Sequence, residues 1–254
     1  MKLNEIKKVL ENIAPPELAE SWDNVGMLVE TNNDEISKIL VALDITDAVI
    51  DEAVINNIDL IVTHHPVLIS GIKKVSINDF KGKQLIKLIS NNISLYSMHT
   101  NFDITEGGTN DIIAKKLGLE NLESLDSVTN LGKIGGVAET DLEGLVETLK
   151  GVLKLDTIKY TGDRTKEVSK LAICTGSGMG LYKNAISKGA DVYITGDVKY
   201  HDAVDALESG LSIIDATHYS SENICMDVLH EYLSNKLDID VVRSSVNIDP
   251  FNYL

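Results

Sequence analysis

Five of the six histidines fall where a strand-like run gives way to a loop or a helix. "NNIDLIVTHHPVLIS" sets His64 and His65 at the end of an apolar run, just before Pro66, and "ISLYSMHTNFD" carries His99 and Asp103. "TGDVKYHDA" carries Lys199 and His201, "DATHYSSE" carries His218 and Glu222, and only His230, inside the last predicted helix, lies outside this set. Histidine is costly to bury without a partner and is a poor strand former, so a pair at the mouth of a buried strand points to chemistry. In open α/β sheets ligands bind beyond the carboxyl ends of the strands, where these groups are expected.

The residue types narrow that chemistry. His218 and Glu222 are four apart, so both project from one helical face and can grip one ion or bridge two. Adjacent side chains on a straight strand point to opposite faces. At a strand end that bends before Pro66, His64 and His65 can instead reach two ions lying side by side. With Asp103 the set is three imidazoles and two carboxylates, a shell for zinc, manganese or iron(II) with no thiolate in it. Two ions about 3.5–4 Å apart could clamp an oxygen during hydrolysis. Taken singly, each residue has a plainer reading. His99 and His201 could be hydrogen-bonded imidazoles, Glu222 could support its helix through the dipole, and Asp103 could shape an Asx-turn. The glycine-rich "GSGMG" reads as a turn more readily than as a phosphate cradle. It fits neither the dinucleotide fingerprint nor a Walker A loop.

The elements that must position these groups alternate strand and helix. Asn4 can cap a first helix from Glu5 to about Asn12. Strands follow in "SWDNVGMLVE", "ISKILVALDIT", "IDLIVT" and "ISLYSMHTNFD", with helices in "DAVIDEAVINN", "DFKGKQLIKLISNN" and "GGTNDIIAKKLGL". A second series begins near Asn130 and closes with the long helix "HYSSENICMDVLHEYLSNKL" and the strand "IDVVRSS". This pattern argues for an α/β fold with largely parallel sheets. A weak repeat at an offset of 132 sets "KILVALDIT" over "KLAICTGSG" and aligns Asp59 with Asp191 and His64–His65 with Gly196–Asp197.

Composition bounds the partners. Among 254 residues, 23 basic and 39 acidic side chains leave a net charge of −16, which disfavours nucleic acid and anionic membranes. No apolar run approaches a membrane span, and the N-terminus lacks a secretory h-region, so the expected compartment is the cytoplasm. Two cysteines make no disulfide framework.

Five stretches together are similar to one family. "SWDNVGMLV", "VTHHP", "MHTNFD", "TGDVKYHDA" and "DATHYSSE" occur in the order and spacing of the Nif-three-like family, the GTP cyclohydrolase I type 2 homologues. The resemblance covers essentially the whole chain. It implies two similar three-layer α/β domains with mostly parallel sheets and a metal site in the cleft between them. On this chain they would span 1–128, with 238–254 returning to the first, and 129–237. It also implies two divalent ions per subunit. His65 and Asp103 would hold one and His64 and His218 the other, with Glu222 bridging. The implied assembly is a ring-shaped homohexamer, a trimer of dimers. Where the family typically has "DAGHY", this chain has Thr217, so a local backbone change without loss of metal is expected. The implied activity is hydrolytic opening of a purine nucleotide's imidazole ring, with loss of C8 as formate. His99 and His201 would be candidates for proton transfer and Lys199 for a phosphate contact. Phosphoester hydrolysis and a non-catalytic metal-binding, regulatory or metal-carrier assembly are the alternatives.

Overall fold

Two sheets organise the chain, and each has three parallel strands at its centre whose carboxyl ends carry the candidate site residues. The structure, a computed structural model, describes residues 1–252. The chain divides into two compact units, Met1–Thr105 with Met226 onward, and Glu106–Cys225.

The first unit runs α1 (Leu3–Ile13), β1 (Gly26–Val29), β2 (Lys38–Ala42), α2 (Asp47–Ile55), β3 (Leu60–Thr63), α3 (Phe80–Ser90), β4 (Ser94–Ser97) and α4 (Thr100–Ile104). Helix α1 starts earlier than its sequence suggests: Lys2 caps it, and the Glu5 carboxylate accepts the Lys2 N–H at 3.0 Å. Thr46 caps α2 and Asp79 caps α3, each accepting the amide three residues on. All four residues of β3 are buried, as expected of a strand covered on both faces. Leu40, Ile61 and Leu95 join Ile50 and Leu88 in one apolar cluster. The alternate side chains Val41, Leu60 and Tyr96 are equally buried on the opposite face.

The second unit runs α5 (Thr109–Lys116), β5 (Glu120–Ser124), β6 (Lys133–Asp141), α6 (Leu142–Leu153), β7 (Lys159–Tyr160), β8 (Glu167–Ile173), α7 (Tyr182–Ser187), β9 (Val192–Thr195), α8 (Tyr200–Glu208) and β10 (Ser212–Asp215). Helix α9 (His218–Lys236) begins in this unit, and β11 (Asp240–Arg243) returns to the first sheet beside β2. The sheet orders are β1-β4-β3-β2-β11 and β5-β6-β8-β9-β10-β7. Strand β5 pairs with β6, so the segment before residue 128 belongs with the second unit and the division falls near Thr105.

The repeat at 132 residues extends to hydrogen bonds. β2 meets β3 with Ile39 opposite Leu60, and β8 meets β9 with Leu171 opposite Val192. Asp59 Oδ2 accepts Ser37 N at 2.8 Å, Ser37 Oγ at 2.7 Å and Lys38 N at 3.1 Å. Asp191 Oδ2 accepts Ser169 N at 3.0 Å, Ser169 Oγ at 3.1 Å and Lys170 N at 2.9 Å. Each carboxylate, one residue ahead of its own strand, therefore ties that strand's start to the neighbouring strand. Burial pushes both carboxyls up, but these hydrogen bonds outweigh it and hold them below the usual 3.8. A carboxylate with a lowered folded value stabilises the native state above its unfolded value and loses that contribution as pH falls through the folded one. Stability against urea is expected to drop on acidification below about pH 4. Asp59→Asn and Asp191→Asn should each flatten that slope in melts recorded at successive pH values.

Candidate metal centre

The imidazoles of the first unit sit on turns just past the strands. Strand β3 stops at Thr63, and a bend brings the His64 and His65 rings to 5.0 Å between centroids. Thr63 Oγ1 donates to the His65 carbonyl at 2.9 Å and pairs with Ser97 Oγ at 2.8 Å, which shapes that bend. Strand β4 stops at Ser97, earlier than the sequence suggests. His99 then stands immediately before the short α4, and Asp103 lies on that helix. The His99 ring is 5.2 Å from that of His64 and 5.4 Å from that of His65. One nitrogen from each of the three rings lies within 4.8 Å of the other two, a cluster that could hold a metal ion. Asp103 Oδ1 stands 3.6 Å from His64 Nε2.

Each ring is oriented through its Nδ1. His64 Nδ1 is 2.8 Å from the Met98 carbonyl, His65 Nδ1 3.0 Å from Asp44 Oδ1, and His99 Nδ1 2.9 Å from Asp23 Oδ1. An acceptor opposite Nδ1 places the proton there and leaves the Nε2 lone pair for a ligand, as metal-binding histidines are usually held. Asp23 has the more enclosed side chain of the two carboxylates. It also accepts Asn24 N at 2.7 Å, Thr100 N at 3.0 Å and Thr100 Oγ1 at 2.5 Å. Burial pushes the Asp23 carboxyl up, yet hydrogen bonds from His99 and Thr100 override it and hold the group well below the ordinary carboxylate range.

The second unit repeats the arrangement at the start of α9. His218 Nδ1 is 2.7 Å from Asp197 Oδ2, and its Nε2 is 3.1 Å from Oε2 of the buried Glu222. Glycines let the backbone close in on this pair. A Cβ on Gly176 (φ 65°) would stand 2.1 Å from Glu222 Oε1 and 3.4 Å from His218 Nε2. One on Gly196 would meet His218 N at 2.6 Å and Gly176 O at 2.7 Å. The "GSGMG" stretch is thus a turn whose first glycine makes room for a carboxylate.

Thr217 itself takes a φ of 56°, the left-handed region that favours glycine, so the substitution is carried by strain in the residue. Its Oγ1 accepts Ser220 N at 3.1 Å and so caps α9. Thr217→Val keeps the β-branched strain and loses the cap, and is expected to destabilise the protein by about 1 kcal/mol in chemical denaturation. Thr217→Gly trades the cap for relief of strain and should come out close to neutral.

The remaining candidates lie elsewhere. His201 is exposed on α8 with its ring 5.2 Å from that of Tyr200, in neither group of potential ligands found among the described residues. Lys199 lines a shallow cavity of about 170 Å³ with Lys159, Tyr160, Tyr200 and Asp215. His230 Nε2 contacts the Val241 carbonyl at 3.1 Å. Sequence reasoning missed Asp23, Asp44 and Asp197, the Nδ1 partners. The signal was available, since each lies in or beside a stretch noted for other reasons: "SWDN", the end of "KILVALD", and "TGD".

Fold and donors together define a class: an α/β protein of two sheets with histidine and carboxylate clusters that could hold a metal ion. The chain belongs to the NIF3 family, since residues 1–250 match the family model described as Duf34/NIF3 (NGG1p interacting factor 3). A Clostridium perfringens relative named GTP cyclohydrolase 1 type 2 homolog is 38% identical, with all of both chains aligned. A Staphylococcus aureus protein, SA1388, superposes with a TM-score of 0.91 at 31% identity, covering 100% of this chain and 99% of that one. Reduced HcgD from Methanocaldococcus jannaschii superposes at 0.87 with 34% identity, covering 97% and 98%. No helix among the described residues is long and apolar enough to cross a membrane.

Proposed function

We propose that this protein is a metal-dependent hydrolase in which His64, His65, Asp103, His218 and Glu222 hold two divalent cations, acting on the ring of a purine nucleotide. The observation that carries the reading is the shared setting of the ligand imidazoles. His64, His65 and His218 each have Nδ1 engaged by a carbonyl or carboxylate, which presents Nε2 as the donor. The donor set, nitrogen and carboxylate oxygen without thiolate, fits zinc, manganese or iron(II). Two such cations would acidify a water and stabilise negative charge developing on the substrate. The names of the relatives supply the substrate class.

The chain's own residues would divide the remaining work. Asp44 and Asp197 orient His65 and His218, and Gly176 leaves Glu222 its space. His201 is the candidate for proton transfer. Lys199, with Lys159 across the same small cavity, would meet the phosphates of a nucleotide. A homohexamer belongs to the same proposal. Ile69, Ile72, Val75, Ile77 and Phe80 are all exposed within one stretch, and a second copy of the chain would cover them. Light scattering tests that assembly.

The function is tested with purified protein loaded with Mn²⁺, Zn²⁺ or Fe²⁺ and supplied with GTP. Formate release that disappears in Glu222→Gln supports the proposal. Phosphate release with the base intact points to a phosphoester hydrolase. Tight metal binding without turnover on any nucleotide points to a non-catalytic metal-binding assembly.

A further inference from the structure

We propose that His99 is itself a metal ligand and that Asp23 is the residue that fixes its ring for that role. The inference rests on the reading of this site as a metal centre, and it gives a purpose to the "SWDNVG" stretch, which the five-residue ligand set leaves unused.

Three observations carry it. First, His99 offers a nitrogen within 4.8 Å of one on His64 and one on His65. Nitrogens sharing one tetrahedral zinc-like cation at about 2.1 Å stand about 3.4 Å apart, so the rings need close by no more than about 1.4 Å. Second, His99 is held as His65 is, with a carboxylate on Nδ1 and Nε2 left as donor. Third, the hold is rigid. The Asp23 side chain is fully buried, both of its oxygens accept further hydrogen bonds from Asn24 and Thr100, and the Trp22 ring meets His99 edge-on at 6.0 Å. A proton carrier must exchange its proton in each cycle, whereas a ligand profits from one fixed tautomer and orientation. His99 thereby adds a third imidazole to the pair at the end of β3.

The role of Asp23 follows from its chemistry. In Asp23→Asn, an amide nitrogen turned toward His99 would ask Nδ1 to accept. That moves the ring proton to Nε2 and blocks the donor atom. Asp23 is thus a positioning residue, and its loss should reach the metal through His99.

The test is titration of the metal-stripped full-length protein with Co²⁺, followed by calorimetry and by the visible d–d absorption, with melting curves for each variant. His99→Ala is expected to weaken cobalt binding at least 10-fold and to change the band, and free imidazole should restore it. Asp23→Asn should weaken binding by about 10–100-fold, the usual cost of losing an outer partner. His65→Ala serves as a positive control and His230→Ala as a negative one. If His99→Ala and a folded Asp23→Asn bind cobalt with wild-type affinity and spectrum while His65→Ala does not, this inference is overturned and the metal centre stands. If the wild type takes up no cobalt, both fall.

Discussion

The His65→Ala variant is expected to lose tight divalent-cation binding while keeping its fold. Losing an outer partner of a metal-binding histidine typically costs about 10–100-fold in affinity, so loss of the ring itself should cost at least about 100-fold. The fold should be nearly indifferent, because the ring lies past the end of β3 and is partly exposed. Truncation therefore opens space toward the surface. Asp44, which holds the ring, is itself exposed enough to take water in its place. A cost near 1 kcal/mol corresponds to about 2–4 °C in a chain of this size. Metal content after exhaustive dialysis, set beside a calorimetric melt of the metal-free protein, checks both halves. His230→Ala should retain full metal content, since that ring serves the Val241 carbonyl.

The Gly176→Ala variant should damage the site more than the fold, and Gly196→Ala the reverse. The methyl group at position 176 would meet the tip of a side chain, Glu222 Oε1, at 2.1 Å. A carboxylate can turn aside at small cost, so the clash is relieved by moving Glu222 away from its place beside His218. Metal affinity is then expected to fall by at least about 100-fold, as for a lost ligand. The left-handed φ adds a stability cost of about 1–2 kcal/mol. At position 196 the new methyl would meet backbone atoms, His218 N at 2.6 Å, Gly176 O at 2.7 Å and Thr217 C at 2.8 Å. Nothing there can rotate away, so the turn into α9 must shift. Overpacking of this kind costs about 1–3 kcal/mol. Melting temperature and cobalt titration, measured on both variants, separate the two outcomes.

What the sequence made legible was the set of strand ends. Periodicity located β3, β9 and β10, and past their carboxyl ends stand His64 and His65, Asp197, and His218 with Glu222, whereas His201 and Lys199 lie outside both clusters. The bend at His64–His65 was readable because two neighbours cannot share a face on a straight strand, and Pro66 marks the break. Helix α4 was not readable. "HTNFD" carries no long amphipathic period, and its five residues are ordered by Asp23 from a distant turn. Asp23, Asp44 and Asp197 escaped for a related reason. Each lies in a stretch that stood out for another reason, but nothing local pairs it with an imidazole 21 or 76 residues away, and loops are rich in aspartate for many reasons. Gly176 and Gly196 looked like ordinary turn glycines. Their need for empty space emerges only once Glu222 and the first turn of α9 are placed.

The matched aspartates at 59 and 191, each lashing a strand's start to its neighbour, set the same device at equivalent places in the two sheets. At corresponding strand mouths one sheet bears adjacent imidazoles, while the other bears a vacant Cβ position at Gly196 and, in Asp197, an anchor for His218. Specialisation of this kind demands no new scaffold. It lets the chemistry at one set of strand mouths differ from that at the other while the three central parallel strands of each sheet keep their register.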